Sequence, residues 1–246
     1  MKKLSILLVL LLCTLTGIAQ QVTLNDVANG TYRPEGIYGI KPMLDGEHYT
    51  RISADGKKIV KYSFKTGKEV GTLFDVETAR NHQLRSFDDY TLSPDESLIL
   101  IQTNTKPIYR RSFTAEHYIY NVRNNTLAPL SENGPQQVPL FSPDGTMIAF
   151  VRANNLYLVK LLFDNSESQI TVNGKFNEIL NGIPDWVYEE EFGFSRAFDF
   201  SSDSQMLAYI RFDERNVPMY SFPWYKGMAP SLDQYETYPG AYEYKY

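Results

Sequence analysis

The stretch Phe141-Ser142-Pro143-Asp144-Gly145, followed by the apolar run 147–152, decides the fold of this chain. Proline at the second turn position fixes φ, and serine or aspartate side chains can cap the turn backbone. The pentapeptide therefore predicts a tight turn that leads into a strand. The chain then continues through Ala153-Asn154-Asn155 into a second apolar run at 156–159. Two strand-like runs joined by a short polar turn predict a β-hairpin.

Related turns occur four times along the chain, and each precedes an apolar run. The turns lie at 52–56, 92–96, 141–145 and 200–204, and the runs at 58–62, 98–102, 147–152 and 206–211. The aspartates of successive turns are 40, 49 and 59 residues apart. Repeats of this length that hold several short strands are typical of β-propeller blades, although a generic antiparallel sheet could also use such turns. The sequence predicts an all-β fold, a partial β-propeller of about four to five blades from a larger propeller.

An acidic segment interrupts this β-rich pattern. It reads Asp185-Trp186-Val187-Tyr188-Glu189-Glu190-Glu191-Phe192-Gly193. Asp185 can cap the start of a short helix, and Gly193 can end it. The aromatic and apolar residues favour burial, whereas the glutamates need a cation or water. Such a conflict between local preferences is expected mainly at functional or strained sites.

The first residues resemble a secretory signal peptide. Lys2 and Lys3 precede the apolar run 4–16, which is too short for a membrane span of about 20 residues. Gly17 and Ala19 are small residues at the two positions that a signal peptidase reads, which predicts cleavage before Gln20. We therefore expect a signal peptide at 1–19, a mature chain at 20–246, and a secreted or periplasmic location. The one cysteine, Cys13, lies in the signal segment, so the mature chain would contain no disulfide.

The charge balance excludes some classes of partner. The formal net charge is −5, and removal of Lys2 and Lys3 would make it −7. A nucleic-acid partner would require a basic face, which this composition does not favour. An anionic membrane surface is disfavoured for the same reason. No apolar run after Ala19 is long enough to span a membrane.

In the acidic segment and in the other segments named below, the chain resembles the dipeptidyl peptidase IV family of serine exopeptidases, within the prolyl oligopeptidase superfamily. The acidic segment is close to that family's acidic signature, and a second family segment contains a substrate-binding arginine. The segments that carry the resemblance are 109–115, 118–120, 182–184, 185–192, 211–213 and 217–218.

The resemblance implies a fold and a set of site residues. Family members combine an N-terminal propeller of about eight blades with a C-terminal α/β-hydrolase domain, and they remove dipeptides, preferring proline or alanine second, from peptide N-termini. By position, Glu190 and Glu191 would bind the substrate's α-ammonium group, and Arg110 would orient a substrate carbonyl, with Arg111 ranked second. An α-ammonium group, with a pKa of about 8, is mostly charged at neutral pH. A bound cation would also relieve the repulsion between adjacent carboxylates.

The chemical machinery of hydrolysis is not evident in the sequence. No Gly-x-Ser-x-Gly elbow occurs, and Ser195 matches only the first half of that motif. His48, His82 and His117 show no triad or metal-ligand spacing. We therefore assign no catalytic residue, no metal and no cofactor to this chain.

Three hypotheses remain open from the sequence. The first is that the chain is the substrate-recognition portion of a secreted dipeptidyl peptidase IV-like enzyme and is inactive alone. Its partners would then be peptide N-termini, the α/β-hydrolase domain, and a second copy in a homodimer of the full-length parent. The second hypothesis is a stand-alone peptide-binding propeller of the cell envelope. The third is a non-functional gene fragment.

Overall fold

The computed structural model describes residues 22–34, 36, 38–222 and 242–245. The predicted signal peptide at 1–19 lies outside the described residues. The chain divides into two compact units, residues 1–38 and 39–246. In the first unit, helix α1 (Leu24–Asn29) begins at a capping box between Thr23 and Asp26 and ends at Gly30.

The second unit contains helix α2 (Trp186–Phe192) and all the described strands. The strands are β1 (Lys41–Pro42), β2 (His48–Ile52), β3 (Lys58–Ser63), β4 (Glu69–Asp75), β5 (Asp89–Leu92), β6 (Leu98–Pro107), β7 (Phe113–Asn121), β8 (Thr126–Pro129), β9 (Gln137–Phe141), β10 (Met147–Arg152), β11 (Asn155–Lys160), β12 (Ser166–Gln169), β13 (Ile179–Asn181), β14 (Phe198–Phe200), β15 (Leu207–Tyr209), β16 (Arg211–Asp213), β17 (Met219–Phe222) and β18 (Tyr242–Lys245).

The strands form successive antiparallel sheets. Strands β1 to β4, β5 to β8 and β9 to β12 form three four-stranded sheets, each with its strands in chain order. The pairs β13–β16, β14–β15 and β17–β18 follow them. Four-stranded sheets that meander in chain order are the building blocks of β-propellers. The prediction of an all-β fold and a partial propeller is confirmed.

The hydrophobic cores lie between consecutive sheets. Ile59 and Phe74 of the first sheet pack in one cluster with Ile99 and Ile101 of the second. Leu100, which points to the opposite face of β6, joins a second cluster with residues of the third sheet. Successive residues of a strand face opposite sides, so a strand buried on both faces needs a continuous apolar run. This is why 98–101 reads Leu-Ile-Leu-Ile.

A third core joins the third sheet to the segment that carries the acidic helix. Ala149, Val151 and Leu156 pack with Ile183 and Phe198 in this cluster. Burial of each large aliphatic side chain contributes about 1.5–3 kcal/mol to stability. The two ends of the acidic segment are therefore held by the core of the neighbouring sheet.

The four predicted turns are present and share one hydrogen-bond pattern. In the third turn, Ser142 Oγ donates to Asp144 Oδ1 at 2.6 Å and accepts from the Met147 amide at 2.9 Å. The amide of Thr146 also donates to Asp144 Oδ1, at 3.0 Å. The residue after the aspartate has a positive φ in all four turns, which favours glycine at that position. Two of the four turns hold Glu96 and Ser204 there instead.

The predicted hairpin is also present. Strands β10 and β11 pair from Met147↔Lys160 to Arg152↔Asn155. Ala153 and Asn154 connect them with φ values of 47° and 60°. Positive φ at both central residues is typical of the two-residue turns that match the twist of paired strands.

The fourth apolar run, at 206–211, differs from the prediction of one strand. It divides into β15, which pairs with β14, and β16, which pairs with β13. Ile210 lies between them, where its amide donates to the Ala197 carbonyl and its carbonyl accepts from the Gly182 amide. The run changes partner at this residue, so the strand is interrupted.

Candidate functional site

The candidate site consists of helix α2 and the tip of the β6–β7 hairpin, residues 108–112. Asp185 caps the start of helix α2, and its Oδ1 accepts a hydrogen bond from the Tyr188 amide at 2.8 Å. The helix ends at Gly193, where φ is 73°. Both ends agree with the prediction from sequence. At the hairpin tip, the Ile108 amide donates to the Ser112 carbonyl at 2.9 Å, which closes the turn.

The three consecutive glutamates of α2 lie in three different environments. Glu189 is 2% exposed, the side chain of Glu190 is 25% exposed, and Glu191 is on the exposed side of the helix. Consecutive residues of a helix point about 100° apart, so adjacent carboxylates need not share a surface. The aromatic residues differ from the burial expected of them, because Tyr188 and Phe192 are exposed while Glu189 is buried.

Glu190 forms an ion pair with the predicted arginine. Arg110 Nη2 lies 2.8 Å from Glu190 Oε1, and Arg110 Nε donates to Glu190 Oε2 at 3.0 Å. Two parallel N–H···O bonds make the pair bidentate, which gives it directional specificity. The structure thus brings together Arg110 and Glu190, which are 80 residues apart in the chain.

The other predicted residues lie beside this pair. Glu191 is exposed and adjacent to Glu190 in α2. Arg111 points elsewhere, since its guanidinium group lies 3.6 Å from the position that a Cβ atom would take on Gly193. Arg111 therefore covers the C-terminal end of α2, where a positive charge interacts favourably with the helix dipole.

Sequence reasoning did not assign a role to Glu189. Its Oε1 accepts hydrogen bonds from the backbone amides of Arg111 at 2.8 Å and Ser112 at 2.9 Å. The helical spacing offered a signal, because residue 189 lies one turn after Asp185 and follows the buried residues Ile183 and Pro184. The partner amides could not be identified, since they lie 77 and 78 residues away.

A cavity of about 260 Å³ lies against the hairpin tip and α2. Ile108, Phe113 and Ile183 contribute apolar surface to its wall, and Glu189 also lines it. Ser195 lines the same cavity in the connection from α2 to β14. This is a helix-to-strand connection, whereas a nucleophile elbow is a strand-to-helix turn.

The three histidines have partners away from the acidic helix. His48 Nδ1 lies 2.6 Å from Asp45 Oδ2, and His82 packs against the ring of Tyr118 at 4.6 Å. His117 is buried, and its Nδ1 lies 3.0 Å from Gln136 Oε1. Across the described part of the chain, no group of three or more histidine, cysteine or acidic residues could hold a metal ion. Within the same residues, no helix has the length and hydropathy needed to cross a membrane.

The sheets and this site define a class: a β-propeller region with an acidic helix paired to an arginine on a neighbouring hairpin. The family model described as the dipeptidyl peptidase IV (DPP IV) N-terminal region matches residues 93–246. The chain belongs to the dipeptidyl peptidase IV family.

Individual relatives agree with this assignment. The chain is 34% identical over 208 residues to prolyl endopeptidase FAP of Homo sapiens, covering 83% of this chain and 26% of that protein. It is 40% identical over 169 residues to a probable dipeptidyl peptidase 4 of Arthroderma benhamiae, covering 66% of this chain and 20% of that protein. The chain therefore spans about a fifth to a quarter of the length of these relatives.

A solved structure shares the fold. The crystal structure of Porphyromonas gingivalis dipeptidyl peptidase 4 matches with a TM-score of 0.81 and 41% sequence identity. The match covers 92% of this chain and 31% of that chain. The resemblance inferred from the acidic segment and the arginine segment is confirmed.

Proposed function

We propose that residues 20–246 form the substrate-recognition portion of a dipeptidyl peptidase IV-like serine exopeptidase. In this proposal the protein removes dipeptides with proline or alanine at the second position from peptide N-termini. Glu190 and Glu191 bind the α-ammonium group of the substrate, and Arg110 orients a substrate carbonyl. The α/β-hydrolase domain of the parent enzyme supplies the nucleophile, the base and the oxyanion hole.

The observation that carries this proposal is the Arg110–Glu190 pair. The sequence resemblance selected these residues separately, from two segments 80 positions apart, and the bidentate contact lies between them. Arg110 keeps 71% of its side chain exposed, so its guanidinium group is accessible to a ligand. Glu191 adds a second, exposed carboxylate on the same helix.

The pair also suits the recognition of a chain terminus. The two glutamates and Arg110 carry a formal net charge of −1, which favours a single cationic group. An α-ammonium group exists only at the first residue of a peptide. Binding that group fixes how many residues extend from the anchor to a nucleophile, so the cleaved bond lies at a constant distance from the terminus.

The proposal extends to targeting and assembly. Residues 1–19 act as a secretory signal peptide, and the mature protein is secreted or periplasmic. The parent enzyme assembles as a homodimer. The support for the signal peptide is the pair Lys2 and Lys3 before the apolar run 4–16. Sequencing the N-terminus of the exported protein tests it, and a mature chain that retains residues 1–19 contradicts it.

The site assignment is tested in the protein expressed from its complete reading frame. The assay measures kcat/KM for a glycyl-prolyl chromogenic substrate. Loss of one charge-assisted hydrogen bond costs about 1.5–3 kcal/mol, so Glu190→Gln and Glu191→Gln should each lower kcat/KM roughly ten- to hundredfold. The matched control is Glu69→Gln, which changes an exposed glutamate of the first sheet. Wild-type kinetics in both site variants would remove the assigned role.

A further inference from the structure

Glu189 holds the hairpin tip against helix α2 through two backbone hydrogen bonds. The single oxygen Oε1 accepts from the amides of Arg111 and Ser112, at 2.8 Å and 2.9 Å. The residue is 2% exposed, so water competes little for these bonds.

Two sets of contacts act near Arg110: its ion pair with Glu190, and the bonds of Glu189 to the next two amides. Arg110 directly precedes the two residues whose amides bind Glu189, and its side chain is 71% exposed. An ion pair with one largely exposed partner contributes little to holding a backbone in place, because solvent screens it and the long side chain loses entropy. Glu189 is buried and bonds to the backbone itself. Glu189 can therefore hold the backbone of the hairpin tip in place whichever rotamers the side chains of the tip adopt.

The Arg111 side chain of the same tip lies close to the C-terminal end of α2. The guanidinium group of Arg111 lies 3.6 Å from the position of a Cβ atom on Gly193, and φ of Gly193 is 73°. Glycine at this position ends the helix and leaves room for Arg111. The tip is thus fixed to α2 at Glu189 and lies close to it at Gly193. Arg110 directly precedes Arg111 and pairs with Glu190.

We propose that Glu189 is a positioning residue for peptide recognition. It sets the location of the Arg110 guanidinium group relative to Glu190 and contacts no peptide itself. The proposal rests on the proposed function of Arg110 and Glu190, and it adds the residue through which they are aligned. This role requires a side chain of glutamate length that ends in a hydrogen-bond acceptor. Glutamine at position 189 should therefore preserve the role, and methionine should not.

The test uses the protein expressed from its complete reading frame and two measurements. The first is hydrogen–deuterium exchange at the amides of Arg111 and Ser112, which reports their hydrogen bonds to Glu189 in the absence of any ligand. The second is the affinity for glycyl-prolinamide and for its N-acetyl derivative, two ligands that carry no residue after the proline. Glu189→Met should accelerate exchange at both amides at least tenfold. Glu189→Gln should leave exchange and affinity within about threefold of wild type, because its amide oxygen can accept the same bonds.

A double-variant comparison separates positioning from a general structural role. Glu189→Met should weaken glycyl-prolinamide binding about as much as Arg110→Ala, and the double variant should bind no worse than either. Losses that add in the double variant would overturn the proposal. Unchanged exchange of both amides in Glu189→Met would also overturn the proposal. Rapid exchange of both amides in the wild type would overturn it as well, and this measurement does not require the methionine variant to fold.

The same data distinguish failure of the proposed function from failure of this inference. Equal wild-type affinity for glycyl-prolinamide and its N-acetyl derivative would remove the ammonium role of Glu190 and Glu191. Protection of the Arg111 and Ser112 amides is measured independently of that result. If the amides are protected but the protein does not distinguish the two ligands, Glu189 binds the hairpin tip although the proposed ammonium recognition is wrong.

Discussion

At the scale of single residues, three adjacent glutamates lie in three different environments because successive residues of a helix point in different directions. Glu189 binds backbone amides, Glu190 pairs with Arg110, and Glu191 remains exposed. The sequence indicated that this acidic run needed compensating partners. It could not indicate which carboxylate would meet which partner, because both partners come from a hairpin about 80 residues earlier.

The two adjacent arginines should differ in their effect on peptide recognition. Arg110→Ala removes the guanidinium group that faces Glu190, and we expect kcat/KM for a glycyl-prolyl substrate to fall at least tenfold. Arg111→Ala leaves the Arg110–Glu190 pair in place and should change kcat/KM less than threefold. Steady-state kinetics of the two variants provide the comparison. A larger loss in Arg111→Ala would show that the assignment is displaced by one residue.

His117 should make stability depend on pH. Burial lowers the pKa of His117 from 6.5 to about 4, and the hydrogen bond with Gln136 opposes this only in part. The unfolded chain therefore binds more protons than the folded chain between pH 6.5 and 4. The free energy of unfolding should fall by up to about 3 kcal/mol as the pH decreases through this window.

Urea unfolding of wild type and His117→Gln at several pH values measures this dependence. Glutamine does not titrate, so the variant should lose less stability than wild type between pH 6.5 and 4. Above pH 7 both side chains are neutral, and the difference between the proteins should be constant. Parallel pH profiles of the two proteins would contradict the assignment.

At the scale of elements, much of the local structure follows from short sequence patterns. The serine–aspartate turns, the hairpin turn at Ala153 and Asn154, and both ends of α2 have local causes, since each is stabilised by bonds within a few residues. The division of the run 206–211 could not be predicted in this way. It depends on the carbonyl of Ala197 and the amide of Gly182, which bond to the amide and the carbonyl of Ile210, respectively.

The third turn should show what its aspartate contributes. Asp144→Ala removes the acceptor for Ser142 Oγ, the Thr146 amide and Thr146 Oγ1. We expect a loss of about 1–2 kcal/mol in the free energy of unfolding, as for a lost helix cap. Asp144→Asn keeps an oxygen in place and should lose less than Asp144→Ala, because a neutral oxygen still accepts these bonds, although more weakly than a carboxylate. Chemical denaturation of the pair provides the measurement, and equal losses would show that the acceptor is unimportant.

At the scale of the whole molecule, stability comes from contacts between consecutive sheets. Each described core combines residues of neighbouring sheets, so a sheet is only half covered until the next one packs on it. The sequence predicted this architecture through the spacing of its turns. It did not predict how the strands near α2 would be paired, because long-range contacts determine that pairing.

Residues 20–246 expressed alone should release no dipeptide from a glycyl-prolyl chromogenic substrate. Hydrolysis of a peptide requires an activated nucleophile, a base and an oxyanion hole, and we assign only binding residues here. The same protein should self-associate on size exclusion, because Met206, Tyr209 and Ile210 expose apolar surface. Activity that a serine-directed reagent abolishes, in the purified protein, would contradict the first expectation. A monomer at high concentration would contradict the second.

The bidentate Arg110–Glu190 pair also bears on ion selectivity. Neighbouring carboxylates on a protein surface attract calcium, which takes about six to eight oxygen ligands and is bound more tightly as ligand charge increases. Arg110 already engages both oxygens of Glu190 and cancels one of the two negative charges on Glu190 and Glu191. A monovalent ammonium group can still add to the remaining charge. A divalent metal that used both oxygens of Glu190 would have to displace the guanidinium group, so the ion pair disfavours calcium binding at this carboxylate.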